Sequence, residues 1–405
     1  MKTAILPTAP SIHPTPAPTM ITKNLSNSSC ETPNHQRKTS IMNTPSLRLR
    51  PLAAAILCSL IAPALFAQTA TTTPVGFITR TIPAAVDAST PSNTTISVPL
   101  YATPDYVSTV ASLDSATQFT MTGAAWAVGA YANPAAPRLV RVKASTVTPA
   151  NVGKFFLVSA NTANQLTVTL PAGVANINTG VSVGDSCEVV PANTLGSVFG
   201  TAATTPPQLQ AGTTSDDADN VLIFDGTTFV TYFWTGNIGS PANIWKKTGN
   251  LDRSGTVIYP DEAVFVIHRN TAAAVTLTLM GTVPSTAEQT VIAASGSTFI
   301  SNRFPVDVTL GTVVSPTMPA LNLQNIAGWV GGDTSDVADN VFIWNAGLGT
   351  WDTYYWTGSG GSPANIWKKT GNIDRSNTVI PAGTGIFISH GASALTLSQT
   401  LPYVP

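Results

Sequence analysis

Short runs in which apolar and polar residues alternate at every second position recur along the chain. Each is closed by turn-forming residues, the signature of half-buried strands rather than helices. Val75-Gly-Phe-Ile-Thr-Arg-Thr-Ile-Pro83 opens the series, and Thr94-Thr-Ile-Ser-Val-Pro-Leu100 follows. Pro99 predicts an edge or a strand end, because proline cannot donate to a central ladder. From about 105 to 191 the runs shorten. Segments 118–121, 138–143, 154–158, 165–170 and 186–190 predict a small five-stranded β-barrel or sandwich, with Asn161-Thr-Ala-Asn164 supplying hairpin chemistry. Alternation places Arg141 and Lys143 on one face, expected to be a solvated outer one.

Beyond this stretch the pattern occurs twice. Ser240-Pro-Ala-Asn-Ile-Trp-Lys-Lys-Thr-Gly-Asn-Leu-Asp-Arg-Ser254 returns 122 residues later, from Ser362, with Ile for Leu as its one change. Thr214-Ser-Asp-Asp-Ala-Asp-Asn-Val221 returns 120 residues later, from Thr334. The two extra residues fall where Asp225-Gly-Thr-Thr faces Asn345-Ala-Gly-Leu-Gly-Thr, a hairpin turn in which added length costs little. Upstream, Thr194-Leu-Gly-Ser-Val198 matches Thr309-Leu-Gly-Thr-Val313. The expected class is all-β: two related β-sandwich-like modules, the first interrupted by a small β-barrel-like insert. Module 1 takes 68–104 and 192–284, the insert 105–191 and module 2 285–405. A repeat of this length in two copies is too long and too few for a solenoid or propeller.

Composition agrees with many strands and turns. Apolar residues make up 43% of the chain and charged ones only 10%, enough for packed cores, and the formal charge of −1 gives no footprint for nucleic acid. The first 67 residues read as a targeting segment. A basic stretch (42–50), an apolar run (51–65) and Leu65-Phe-Ala67 before Gln68 spell a signal peptide, and Met42 is the expected start, leaving 1–41 as a disordered or untranslated leader. The run is too short for a bilayer span, so no membrane span is expected after cleavage. Export to the periplasm, outer surface or extracellular space follows. Of Cys30, Cys58 and Cys187 only the last would survive, excluding an intramolecular disulfide. No C-terminal anchor signal is spelled, so release or non-covalent retention is expected.

Pro74-Val-Gly-Phe-Ile-Thr, Phe155-Phe-Leu-Val-Ser-Ala-Asn-Thr162, Val183-Gly-Asp-Ser, Thr194-Leu-Gly-Ser-Val-Phe199 and Ala218-Asp-Asn-Val-Leu-Ile-Phe224 together make up a pattern that resembles an uncharacterised paralogous family of exported proteins in Verrucomicrobia. The repeated unit also resembles small extracellular β-modules ending in Pro-Gly-x-Gly-Phe-Phe-Val. That ending stands here as Pro381-Ala-Gly-Thr-Gly-Ile-Phe-Ile388, while the first copy carries Asp261, Glu262 and Ala263 in place of the glycines. The resemblance implies export and a β fold and brings no activity.

Candidate chemistry is sparse. Gly184-Asp-Ser186 suggests a hydrolase nucleophile block, but that chemistry needs a histidine base, typically in Asp-x-x-His, and Phe265 and Phe387 occupy that offset before His268 and His390. Two solvent-facing, strand-end histidines are expected instead, and the Lys246-Lys247 and Lys368-Lys369 pairs are expected in solvated turns. Asp216, Asp219, Asp336 and Asp339 offer oxygens to calcium without the spacing of a recognised calcium loop. Carboxylates bonded to nearby turn N–H groups are the plainer account. Tyr232, Trp234 and Trp245 recur as Tyr354, Trp356 and Trp367, and flat rings of this kind either stack on sugars or fill cores. The expected function is a non-enzymatic structural or adhesive protein without cofactors, its partners envelope components or polysaccharide. The alternative is a carbohydrate-binding protein using the Tyr/Trp clusters.

Overall fold

The computed structural model describes residues 74–87, 89–171, 174–311, 318–391 and 393–403. The expected leader and signal peptide, with Cys30 and Cys58, lie outside the described residues. Module 1 begins with β1 (Val75–Ile82) and β2 (Ser92–Ser97). The chain then leaves for β3 (Tyr106–Leu113), β4 (Gln118–Met121), β5 (Arg138–Ala144), β6 (Phe155–Asn161), β7 (Gln165–Thr169) and β8 (Ser186–Pro191). A short helix, α1 (Leu195–Phe199), leads back to β9 (Asn220–Phe224), β10 (Phe229–Trp234), β11 (Trp245–Lys246), β12 (Ala263–His268) and β13 (Val275–Thr282). Module 2 holds β14 (Glu288–Ile292), β15 (Gly296–Ser301), β16 (Val308–Thr309), β17 (Asn340–Asn345), β18 (Thr350–Trp356), β19 (Trp367–Lys368), β20 (Val379–Ile380), β21 (Gly385–His390) and β22 (Leu395–Gln399). The fold is all-β.

The two five-stranded sheets share one order. It is β11-β10-β9-β12-β2 in the first and β19-β18-β17-β21-β15 in the second, and two-stranded pairs β1-β13 and β14-β22 complete the modules. Registers coincide as well: Trp234 faces Trp245 as Trp356 faces Trp367, and Tyr232 faces Val221 as Tyr354 faces Val341. Between each sheet and its two-stranded partner lies a core. In module 1 it includes Ile96, Val221, Trp245, Val264 and Leu277, and in module 2 Ile300, Val341, Trp367, Ile386 and Leu397.

β3 to β8 close into a barrel of six strands, one more than the sequence pattern suggests. The extra strand is β3, in which only Val110 is buried, so its weak alternation hides it. Inward positions such as Phe119, Val140, Val142, Phe156, Leu166 and Val189 fill the barrel. Because β3 lies antiparallel to β8, with Tyr106 beside Val189, the chain enters and leaves the barrel side by side. Module 1 can therefore accommodate the detour without being spread apart.

The alternation of side chains along a strand explains a correction. Val140 and Val142 face inward, so Arg141 and Lys143 do share the outward face. That face is not solvated at Arg141, which is 2% exposed because module 2 covers it. Lys143 keeps a 37% exposed side chain.

The modules meet through aromatics. Phe224, Phe229 and Phe265 of module 1 pack with Phe299, Phe342, Phe387 and Trp351 of module 2, and Trp344 Nε1 donates to Asn93 O at 2.8 Å. Gly385 sits so close to Ala263, its counterpart in the other copy, that a Cβ on it would come within 2.2 Å of the alanine methyl. One of the two copies must therefore lack a side chain here, which accounts for a glycine kept in only one of them.

Candidate functional site

The repeated Ser-Pro-Ala-Asn-Ile-Trp-Lys motif is accounted for residue by residue. In both copies the Ser–Pro bond is cis, and Asn243 and Asn365 take the left-handed region (φ 58° and 57°), where asparagine is among the few tolerated side chains. Ile244 and Ile366 donate their N–H to Thr235 and Thr357 Oγ1 at 3.0 and 3.1 Å. Both tryptophans, Trp245 and Trp367, are fully buried. Lys246 is half-buried and Lys368 buried, and each donates Nζ to the carbonyl of its loop's own serine, Ser240 or Ser362, at 3.1 Å. The motif is a loop built to one design twice.

The aromatic candidates divide accordingly. Tyr232, Trp234, Trp245, Tyr354 and Trp367 are buried, none more than 8% exposed, and serve as core. They offer no sugar platform. Trp356 alone of the six is partly exposed.

The aspartates separate into two roles. Asp216 and Asp336 are exposed, whereas Asp219 and Asp339 are buried under the sheet. Asp219 Oδ2 accepts from Gln210 N at 2.6 Å and pairs with His268 Nδ1 at 2.6 Å, and its Oδ1 accepts from Arg269 N at 2.6 Å. Asp339 pairs with His390 Nδ1 at 2.8 Å and accepts from Val330 N and Gly391 N. With both oxygens of each taken by protein groups, Asp219 and Asp339 are not free to ligate calcium, and that reading is corrected for these two. The histidines are corrected too. His268 and His390 are 0% and 2% exposed, and their Nε2 atoms meet Ala273 O and Ser393 O at 3.0 and 2.8 Å. With both ring nitrogens engaged, neither histidine is free to act as a base. A search for Asp-x-x-His missed these pairs because their partners lie some fifty residues apart, although the joint recurrence of Asp219/Asp339 with His268/His390 was a usable signal. Asp185, in the Gly184-Asp-Ser186 turn, is buried and accepts from Ser182 N at 2.8 Å and Asn151 Nδ2 at 3.1 Å. Cys187 lies inside the barrel, where burial raises its thiol pKa.

The remaining buried charges meet where barrel, module 1 and module 2 join. Arg141 donates to Glu188 Oε1 at 2.7 Å and to Glu288, which also takes Arg303. Tyr101 Oη donates to Glu288 Oε2 at 2.8 Å and accepts from Arg303 Nη2 at 3.0 Å. Burial alone would depress both guanidiniums. Glu288, then Tyr101 and Glu188, outweigh it for Arg141, and Tyr101, then Glu288 and Asp261, outweigh it for Arg303, so both are held above the ordinary arginine value.

Beside this junction, burial first and the Asp261 carboxylate second push Glu262 up to about 8 from 4.5. Between those values the folded chain retains a proton that the unfolded chain has released, so stability falls as pH rises through the window. Glu262→Gln is expected to remove that part of the slope, seen as a smaller difference in urea midpoint between about pH 5 and about pH 8 than in the parent. An unchanged difference would rule out Glu262 as a source of the slope.

A concave site faces solvent beside the second aromatic core, one of several among the described residues. A cleft of roughly 420 Å³ lies between Trp329 and Trp356, with Asp333 and Gln324 on its rim and glycine backbone, including Gly331, in its walls. Trp329 and Trp356 both pack on Trp367, at 6.0 and 6.1 Å between ring centroids. Trp367 Nε1 in turn donates to Gln324 Oε1 at 3.2 Å. Sequence reasoning guided by the duplication passed over Trp329, because the first copy has Leu209 at that position. Comparison with family models, curated proteins and solved structures finds no match in any of the three.

Proposed function

We propose that the chain is an exported, non-enzymatic structural or adhesive protein of the cell envelope or extracellular space. The observation that carries this reading is the junction at Glu288, where three β parts are tied together by buried ion pairs. The aromatic seam between the modules adds to it. Both features favour a rigid body over moving parts. The histidines are likewise spent on internal bonds. The signal-peptide pattern and the family resemblance support export.

Fractionation of cells expressing the full chain tests this, with mass spectrometry of the N-terminus. The expected product begins at Gln68 and is recovered from the envelope or medium, bound to envelope components or polysaccharide. Recovery from the cytosol with residues 1–67 intact, or turnover on a panel of esters and glycosides, would overturn the proposal.

A further inference from the structure

The two copies differ most tellingly at the cleft. Aligned on the shared N–H bonds to Asp219 and Asp339, Leu209 stands where module 2 has Trp329, Ala211 where it has Gly331, and Thr213 where it has Asp333. In module 1 the position is closed: Leu209 and Trp234 are 4% and 5% exposed, and the Ala211 methyl sits against Gly236, 2.6 Å from where a Cβ there would lie. In module 2 a Cβ on Gly331 would meet Trp356 Cδ1 and Gly358 N at 3.0 Å each, so the missing methyl is what leaves the floor open beside the Trp356 ring. One fold thus carries the same place twice, packed shut in one copy and opened between two indoles in the other.

We propose that this cleft binds a neutral saccharide. Two partly exposed indoles supply flat apolar surfaces of the kind on which the C–H faces of a sugar ring rest. The rim supplies hydroxyl partners of both kinds. Asp333 Oδ1 is held by Ser362 N at 2.8 Å, and Oδ2 has no partner among the described residues. Ser359, another residue of the rim, adds a hydroxyl that can donate or accept. Among the described residues the cleft's lining carries one charged side chain, the Asp333 carboxylate, which disfavours phosphorylated or carboxylated ligands. The volume is within the range of small-molecule pockets, about 300–1,000 Å³, and accommodates a short oligosaccharide rather than a long groove-bound chain. These residues are distinct from those at the Glu288 junction, so the cleft and the scaffold reading stand or fall separately.

Titration calorimetry of the full chain with soluble cello-, xylo-, manno- and chito-oligosaccharides tests the proposal, with tetramethylammonium as a cationic competitor for the same rings. At least one oligosaccharide is expected to bind. Trp356→Ala should weaken it about tenfold or more, as for loss of a central aromatic contact. The double variant Trp329→Leu with Gly331→Ala, which installs the residues found in the first module, should do the same at a temperature at which its circular dichroism matches the parent's. Absence of heat with all four sugars at millimolar concentration, binding of tetramethylammonium alone, or sugar binding untouched by the double variant would overturn it.

Discussion

Glu288→Ala is expected to destabilise the folded chain by about 3–5 kcal/mol, read as a lowered urea midpoint, because it takes the paired carboxylate from the buried Arg303 guanidinium and one of two from Arg141. Glu288 is 0% exposed and is the shared acceptor of Arg141, Arg303 and Tyr101. Remove it and Arg141 keeps Glu188, but the hydrogen bonds left to Arg303 among the described residues go to the Tyr101 hydroxyl and the Gln289 carbonyl. The loss should be far larger than that for Lys369→Ala, whose partner Asp352 sits at a partly exposed surface pair. It should also be partly relieved when Arg303 is replaced with methionine in the same chain, since Arg141 keeps Glu188 and an apolar side chain of similar length leaves no unpaired guanidinium at position 303. A cost under about 1 kcal/mol for the single variant would mean that water reaches the junction. A biphasic transition in the parent would mean that the barrel unfolds independently of the modules.

Truncating either core tryptophan should have a comparable effect. Trp245→Ala and Trp367→Ala are each expected to cost about 3–5 kcal/mol, since both indoles are fully buried and the sheet around them cannot collapse to fill the space. The first also loses the bond from Nε1 to Gly200 O at 2.8 Å, and the second the bond to Gln324 Oε1 at 3.2 Å. Trp356→Ala should cost markedly less, because its ring is partly exposed. Equal costs at all three positions would contradict the division between buried core rings and the open cleft. Chemical denaturation of the three variants decides it.

What could be read in the sequence was what repeats or alternates. The period-2 pattern exposed most strands, and the duplicated Trp and Asp positions pointed to residues that matter. What the pattern could not supply was the surroundings of a given face. Arg141 alternates as a solvent residue and becomes buried only because another module covers it, a contact that local periodicity does not encode. The aromatics were recognisable as a group, yet the choice between sugar platform and core depends on what lies above each ring. Trp329 was hidden for a different reason: it lies where the two copies disagree, and attention to repetition favours places where they agree.

The barrel's two ends lie side by side, which makes its arrival in module 1 easy to picture and its departure hard. Where module 1 carries the barrel between β2 and α1, module 2 joins β15 to β16 by a short link containing Arg303. That link reaches under the barrel, to the carboxylate that Arg141 also holds. Cutting the barrel out would uncover Glu288 and Arg303 together and would deprive Gln289 of the two carbonyls, Ala150 and Val152, that its amide binds. The barrel is therefore carried by one module and needed by the other, whose interior charges it covers and pairs.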